Sequence, residues 1–137
     1  FPSPYFAQRD PRTAFSLPPD PRIHFALNCA AASCPPIAFY DGDRLDEQLT
    51  LAARHFISGE NVRIDRTAQT VQLSPIFSWF ASDFGGKFFG RRRGDLLLRF
   101  VADYLAGTAD RDFLCENVDR LRVRFLPYDW SLNGNAV

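Results

Sequence analysis

Asp20-Pro21-Arg22-Ile23-His24-Phe25-Ala26-Leu27-Asn28-Cys29-Ala30-Ala31-Ala32-Ser33-Cys34-Pro35-Pro36 is the stretch on which both fold and chemistry turn. Ile23, Phe25 and Leu27 alternate with His24, Ala26 and Asn28, the period of a β-strand. Such a strand puts His24 and Asn28 on one face and the three large apolar residues on the other. It gives way at Cys29 to small residues, and Pro35-Pro36 forbids a helix just there. A histidine and two cysteines thus fall within eleven residues. A neutral imidazole takes a proton from a thiol, so His24 as base and Cys34 as nucleophile make a candidate site. The same residues also read as a Cys29–Cys34 disulfide beside a core histidine, since a small loop between them can close. Both readings stand at this level.

Outward from this stretch the periodicities alternate between helix and strand. Residues 1–22 hold six of the ten prolines and are expected to lack regular structure, an arm pinned to the core by Phe6, Phe15 and Leu17. Asp10-Pro11-Arg12 returns as Asp20-Pro21-Arg22, too short a duplication to mark a repeat architecture. Asp43 reads as a helix N-cap with Asp46 and Glu47 in the first turn. Leu45, Leu49, Ala52, Ala53 and Phe56 follow at helical spacing until Gly59, with His55 off the stripe and on the surface. Val62 and Ile64, then Val71 and Leu73, alternate around a polar turn and predict a hairpin. Ser74-Pro75 opens a helix whose stripe is Ile76, Phe77, Phe80 and Phe84 before Gly85-Gly86. A Gly/Arg-rich loop leads to a helix over about 95–105 with Leu97, Val101 and Tyr104 inward. A short helix over 108–116 and a last strand at Leu121, Val123 and Phe125 complete the order. The expected architecture is α+β, a small mixed sheet with several packed helices, in one domain over residues 23–137 behind the arm.

Composition narrows the function classes. The chain has 137 residues, enough for a core without staples. Fourteen phenylalanines against two tryptophans and four tyrosines make aromatic packing the expected core chemistry. Sixteen basic and sixteen acidic residues cancel, which argues against nucleic acid as a partner. No apolar run approaches the roughly 20 residues of a membrane-spanning helix. No signal peptide opens the chain and methionine is absent, so a processed or excised segment of something longer is expected. Three cysteines leave one unpaired in an oxidised monomer.

The candidate catalytic set is His24, Cys34 and Asp129. Asp129 follows the last strand between Tyr128 and Trp130, where a carboxylate can be held dry enough to orient an imidazole. Its plainer reading is a turn aspartate capping backbone amides. Metal binding through His24 and the cysteines is weaker, because Cys29-x₄-Cys34 lacks the spacing of paired zinc ligands. No phosphate-binding loop and no G-x-S-x-G is present, so no cofactor is expected. Arg91-Arg92-Arg93 reads as a solvated loop.

The opening stretch, Leu45-Asp46-Glu47-Gln48-Leu49, Leu73-Ser74-Pro75-Ile76-Phe77-Ser78-Trp79-Phe80, Asp83-Phe84-Gly85 and Leu126-Pro127-Tyr128-Asp129-Trp130-Ser131-Leu132-Asn133 together closely resemble the domain of unknown function family 547. The likeness runs in order through most of residues 20–133. It implies a bacterial, often exported protein, hence a periplasmic or exported location, and no established activity. It also implies an upstream helical part rich in tryptophan and asparagine, which this chain lacks and which the domain is expected to need as a partner. The order of helix, strand histidine and strand-end aspartate resembles papain- and transglutaminase-like cores, an analogy of fold alone. In those folds the nucleophile precedes the histidine, and plant relatives of the family often carry serine in the place of Cys34. Both points cut against Cys34 as nucleophile and suit a binding module or chemistry not needing the thiol. The leading expectation is a thiol-dependent hydrolase or acyltransferase built on His24, Cys34 and Asp129, with a non-catalytic interaction or envelope-associated structural domain as the alternative.

Overall fold

Val62–Asp65 (β1) and Thr70–Leu73 (β2) pair antiparallel in the register Val62↔Leu73 and Ile64↔Val71, the hairpin expected from their alternation. Gln69 closes the turn at φ 49°. The computed structural model describes residues 10–15, 19–88 and 91–133, with the side chains of Thr13, Phe15, Lys87, Phe88, Arg91 and Arg92 outside that description. Phe6 and Leu17, expected to pin the arm, lie outside the described residues, as does the Phe15 side chain.

Arg122–Phe125 (β5) joins β2 in parallel, so the sheet order is β1-β2-β5 with β2 in the middle. A parallel neighbour requires a crossover. Here that crossover is made by the helices Ile76–Trp79 (α2), Gly94–Tyr104 (α3) and Thr108–Asn117 (α4), with the short hairpin Lys87–Phe88 (β3) and Arg91–Arg92 (β4) between them. The helix Leu45–Ser58 (α1) packs on α3. The architecture is α+β, three long helices and a small three-stranded mixed sheet.

The core is aromatic. Phe25, Phe56, Phe77 and Phe84 are buried and their rings lie 4.9–6.3 Å apart. Central β2 adds Val71 and Leu73, both fully buried, and α3 adds Leu97, Leu98 and Val101. At about 25 cal/mol per Å² of apolar surface, burying each phenylalanine contributes roughly 1.5–3 kcal/mol.

Four local expectations are corrected. Residues 23–28 are not a strand: Pro21–Phe25 is a 3-10 turn. Asp20 caps it by accepting from the Arg22 N–H at 2.9 Å, and Pro21 occupies the first turn, where its missing N–H costs nothing. A cap followed by proline commits the backbone to a helical turn, and this outweighs an alternation of only six residues. Phe25 turns inward while Ile23 and Leu27 stay exposed. The duplicated Asp10-Pro11-Arg12 behaves alike: Arg12 N–H donates to Asp10 Oδ1 at 2.9 Å and Pro11–Phe15 is another 3-10 turn, within the arm expected to be irregular. Asp43 is not the cap of α1. Asp41 accepts from the Asp43 N–H and starts a 3-10 turn, Gly42–Arg44, that runs into the helix. Finally, α2 stops at Trp79, so Phe80 leaves the expected stripe and is half-exposed, while Ala81 and Phe84 turn inward through the following turns.

Candidate functional site

The Asp20-Pro21-Arg22 turn is bolted to α1. Arg22 forks onto Asp20 Oδ2 at 2.6 Å and Asp46 Oδ1 at 2.7 Å, and also donates to Thr50 Oγ1 at 2.7 Å. The guanidinium holds the Asp20 carboxyl below its ordinary range. With Arg22 fixed on one side of the turn and Phe25 buried on the other, His24 is presented toward α2 and the turns after it.

There its ring stacks on Phe80, centroids 4.0 Å apart and planes within 16°, and lies 5.4 Å from Phe84. His24 Nε2 is 2.8 Å from Asp83 Oδ2, and the imidazole side chain is only 9% exposed. A carboxylate only accepts, so Nε2 carries the hydrogen and the neutral ring keeps its basic lone pair on Nδ1. The structure therefore places a carboxylate on His24, but it is Asp83 rather than the expected Asp129. Asp129 is exposed and its pKa is lowered first by a hydrogen bond from the Ser131 side chain and then by one from the Ser131 N–H at 2.9 Å. This is the plainer turn-capping role.

Cys34 is joined to Cys29 in a disulfide. Asn28 shapes the ring between them: its Oδ1 accepts from the Ala30 N–H at 2.7 Å and its Nδ2 donates to the Pro35 carbonyl at 2.6 Å. Ala30 takes φ 64°, in the left-handed region. A sulfur in a disulfide is no nucleophile, so the thiolate role expected of Cys34 is not available while this bond is intact.

The second signature segment lies along the cysteine loop. Ala31 bridges Leu132, Ala32 N–H donates to the Ser131 carbonyl at 2.8 Å, and Ser33 Oγ accepts from the Asp129 N–H at 2.9 Å. This pairing carries Tyr128 over the sulfurs. Its hydroxyl donates to Cys34 Sγ at 3.4 Å and lies 3.6 Å from Cys29 Sγ. Burial pushes the Tyr128 pKa up, so the group stays a donor.

Tyr128, Trp79 and Trp130 form a three-ring cluster with centroids 4.6–5.6 Å apart. With Phe80, Leu27 and Ile76 they wall an apolar cavity of about 290 Å³, into which His24, Cys29 and Cys34 also face. Of the residues expected from sequence, His24 and Cys34 face this cavity and Asp129 does not line it; sequence reasoning missed Tyr128 and the two tryptophans in its wall and Asp83 as the carboxylate on His24. The polar Asp83 directly before the core residue Phe84 was the available signal. Among the described residues, no three His, Cys, Asp or Glu side chains converge as metal ligands would. No helix there is long and apolar enough to cross a membrane.

Residues 2–57 match the family described as protein of unknown function, DUF547. The matched span contains the capped turn, His24 and both cysteines, so the resemblance drawn from residues 20–36 holds there. Asp83, Trp79, Tyr128 and Trp130 lie beyond it. No curated protein and no solved structure matches the chain.

Proposed function

We propose that this domain is a polypeptide-binding module whose aromatic cavity receives an apolar segment of a partner chain. The observation that carries the reading is the cavity's wall. Leu27, Trp79, Phe80 and Trp130 are 64%, 48%, 41% and 68% exposed yet gathered around one depression. Scattered apolar side chains need no explanation, but a contiguous group around a cavity marks a binding surface. Tryptophan and tyrosine supply large contact area at small cost in side-chain entropy, and the cavity offers few polar atoms. The occupant it suits is uncharged and rich in leucine or aromatic residues. Titrating the protein with a Leu/Phe-rich peptide and with an Asp/Ser-rich peptide of equal length, read by intrinsic tryptophan fluorescence, tests this. Saturable binding of the first alone is expected, weakened about thirtyfold by Trp130→Ala, as for a central aromatic anchor worth ~2 kcal/mol. Equal binding of both peptides, or indifference to Trp130→Ala, refutes it.

A second reading is the thiol-dependent hydrolase or acyltransferase, with His24 as base and Cys34 as nucleophile. It is favoured by one observation: His24, carboxylate-bonded, faces the same cavity as Cys34. It needs the Cys29–Cys34 bond reduced, and Asp83 suits the orienting role better than Asp129. The fold analogy to papain- and transglutaminase-like cores lends it less than before, since His24 sits on a 3-10 turn and not a strand. Iodoacetamide labelling of Cys34 in the reduced protein is expected to slow when His24 becomes Ala. A rate independent of His24 rejects this mechanism.

A further inference from the structure

The two sulfurs are not equivalent. Cys29 is exposed and Cys34 half-buried. Cys34 Sγ accepts from the Cys29 backbone N–H at 2.9 Å and from the Tyr128 hydroxyl at 3.4 Å. The hydroxyl also lies 3.6 Å from Cys29 Sγ, whereas the backbone N–H reaches Cys34 Sγ. Donors at a sulfur do little for a neutral disulfide and much for a thiolate, because hydrogen bonds to an ionised acceptor are about twice as strong. A leaving thiol of lowered pKa leaves faster. Both cysteines line the apolar cavity, and Cys29 is the more exposed residue of the two.

We propose that Cys29–Cys34 is a thiol–disulfide exchange site for cysteines carried on apolar polypeptide, with Cys29 the sulfur attacked and Cys34 the leaving group. A substrate thiolate attacks Cys29 Sγ. A substrate–Cys29 bond forms, the Cys29–Cys34 bond breaks, and its electron pair leaves on Cys34, where the N–H of Cys29 and the Tyr128 hydroxyl receive it. A second substrate thiolate then attacks the substrate sulfur of the mixed disulfide and expels Cys29. The substrate dithiol loses two electrons and becomes a disulfide; the cysteine pair gains them, and the two protons end on Cys29 and Cys34. The reverse reaction with a polypeptide disulfide restores the starting bond. Only the choice of a polypeptide substrate rests on the binding reading above; the exchange itself rests on the sulfur geometry.

Cys115, exposed on α4, is replaced by serine so that its thiol does not interfere. The oxidised protein is mixed with glutathione, with a dithiol peptide flanked by Leu and Phe, and with one flanked by Asp and Ser. Quench with an alkylating agent and mass spectrometry then read the loss of the disulfide. At equal thiolate concentration the apolar peptide is expected to react about tenfold or more faster than the other two, equivalent to ~1.4 kcal/mol of productive binding. Tyr128→Phe, checked for folding by circular dichroism, is expected to slow all three about fivefold, the loss of one hydrogen bond to the leaving thiolate. Cys34→Ser, whose Cys29 is a free thiol, is mixed instead with the disulfide form of the apolar peptide: Cys29 attacks that disulfide, one peptide sulfur leaves as a thiolate, and the mixed disulfide on Cys29 is expected to accumulate because no Cys34 resolves it. Equal rates for the three thiols, an unchanged rate in Tyr128→Phe, or first attack at Cys34 would each overturn the proposal. Apolar peptide that binds by fluorescence but does not exchange refutes the exchange and leaves the binding module standing.

Discussion

Replacing Arg22 by methionine, which keeps the length of the side chain and removes its charge and donors, tests whether this residue fixes the turn that presents His24. The Arg22 side chain is 17% exposed, Asp20 29% and Asp46 89%. The Asp46 contact is a surface ion pair and is worth about 0–0.5 kcal/mol. The fork onto Asp20 and the bond to Thr50 are partly buried, and charge-assisted bonds of that kind contribute about 1.5–3 kcal/mol before screening. Methionine recovers part of the packing, so the net loss at neutral pH is expected to be about 2 kcal/mol. For a domain of this size that is roughly a 6 °C fall in melting temperature. Thermal melts followed by near-ultraviolet circular dichroism measure it.

The pH dependence supplies a second readout. Arg22 depresses the Asp20 pKa from its ordinary 3.8, chiefly through the side-chain hydrogen bond. A depressed carboxyl binds fewer protons folded than unfolded, so its stabilisation is complete above the unfolded value and is lost as pH falls through the folded one. The gap between wild type and Arg22→Met should therefore be full at pH 7 and narrow below about pH 4. Arg22→Lys keeps the charge without the planar fork and should restore less than half. A loss under about 0.5 kcal/mol, or a gap that does not change between pH 7 and pH 3, refutes the anchoring argument.

Two further outcomes follow from the packing and the cross-link. Phe25, 1% exposed and in ring contact with Phe56, Phe77, Phe84 and Phe100, should cost about 3–5 kcal/mol when cut to alanine and far less as leucine, by urea denaturation. The Cys29–Cys34 ring spans a separation of five residues, so its loss in a Cys29→Ser, Cys34→Ser double variant should cost about 2 kcal/mol by the loop-entropy relation. A double variant as stable as wild type would show that Asn28 and the Ala31–Leu132 pairing hold the loop without the cross-link.

Where a signal was local and strong, it was legible. The β1–β2 hairpin, α1, α3 and α4 followed from period, turn residues and terminators within single windows. The 3-10 turn at Pro21–Phe25 was misread because six alternating residues suggested a strand while Asp20-Pro21 already carried the cap and first-turn proline of a helical start. The duplicated Asp-Pro-Arg was seen in the sequence, but its meaning, one capped turn made twice, needed the hydrogen bonds to Asp10 and Asp20.

By itself, then, the sequence determined the α+β order, the aromatic core and the membership of His24 and the two cysteines in one short signature. Only the tertiary structure decided which groups meet there. Asp83 reaches His24 across 59 residues and Tyr128 reaches Cys34 across 94. Caps and periodicities act over a few residues and are written in the local chain. Which of sixteen acidic side chains faces an imidazole depends on how α2 and its following turns pack against the capped turn, and how β5 returns beside β2 to bring Tyr128 over the sulfurs. Those are consequences of burying one shared core, to which every element contributes and no window of sequence corresponds.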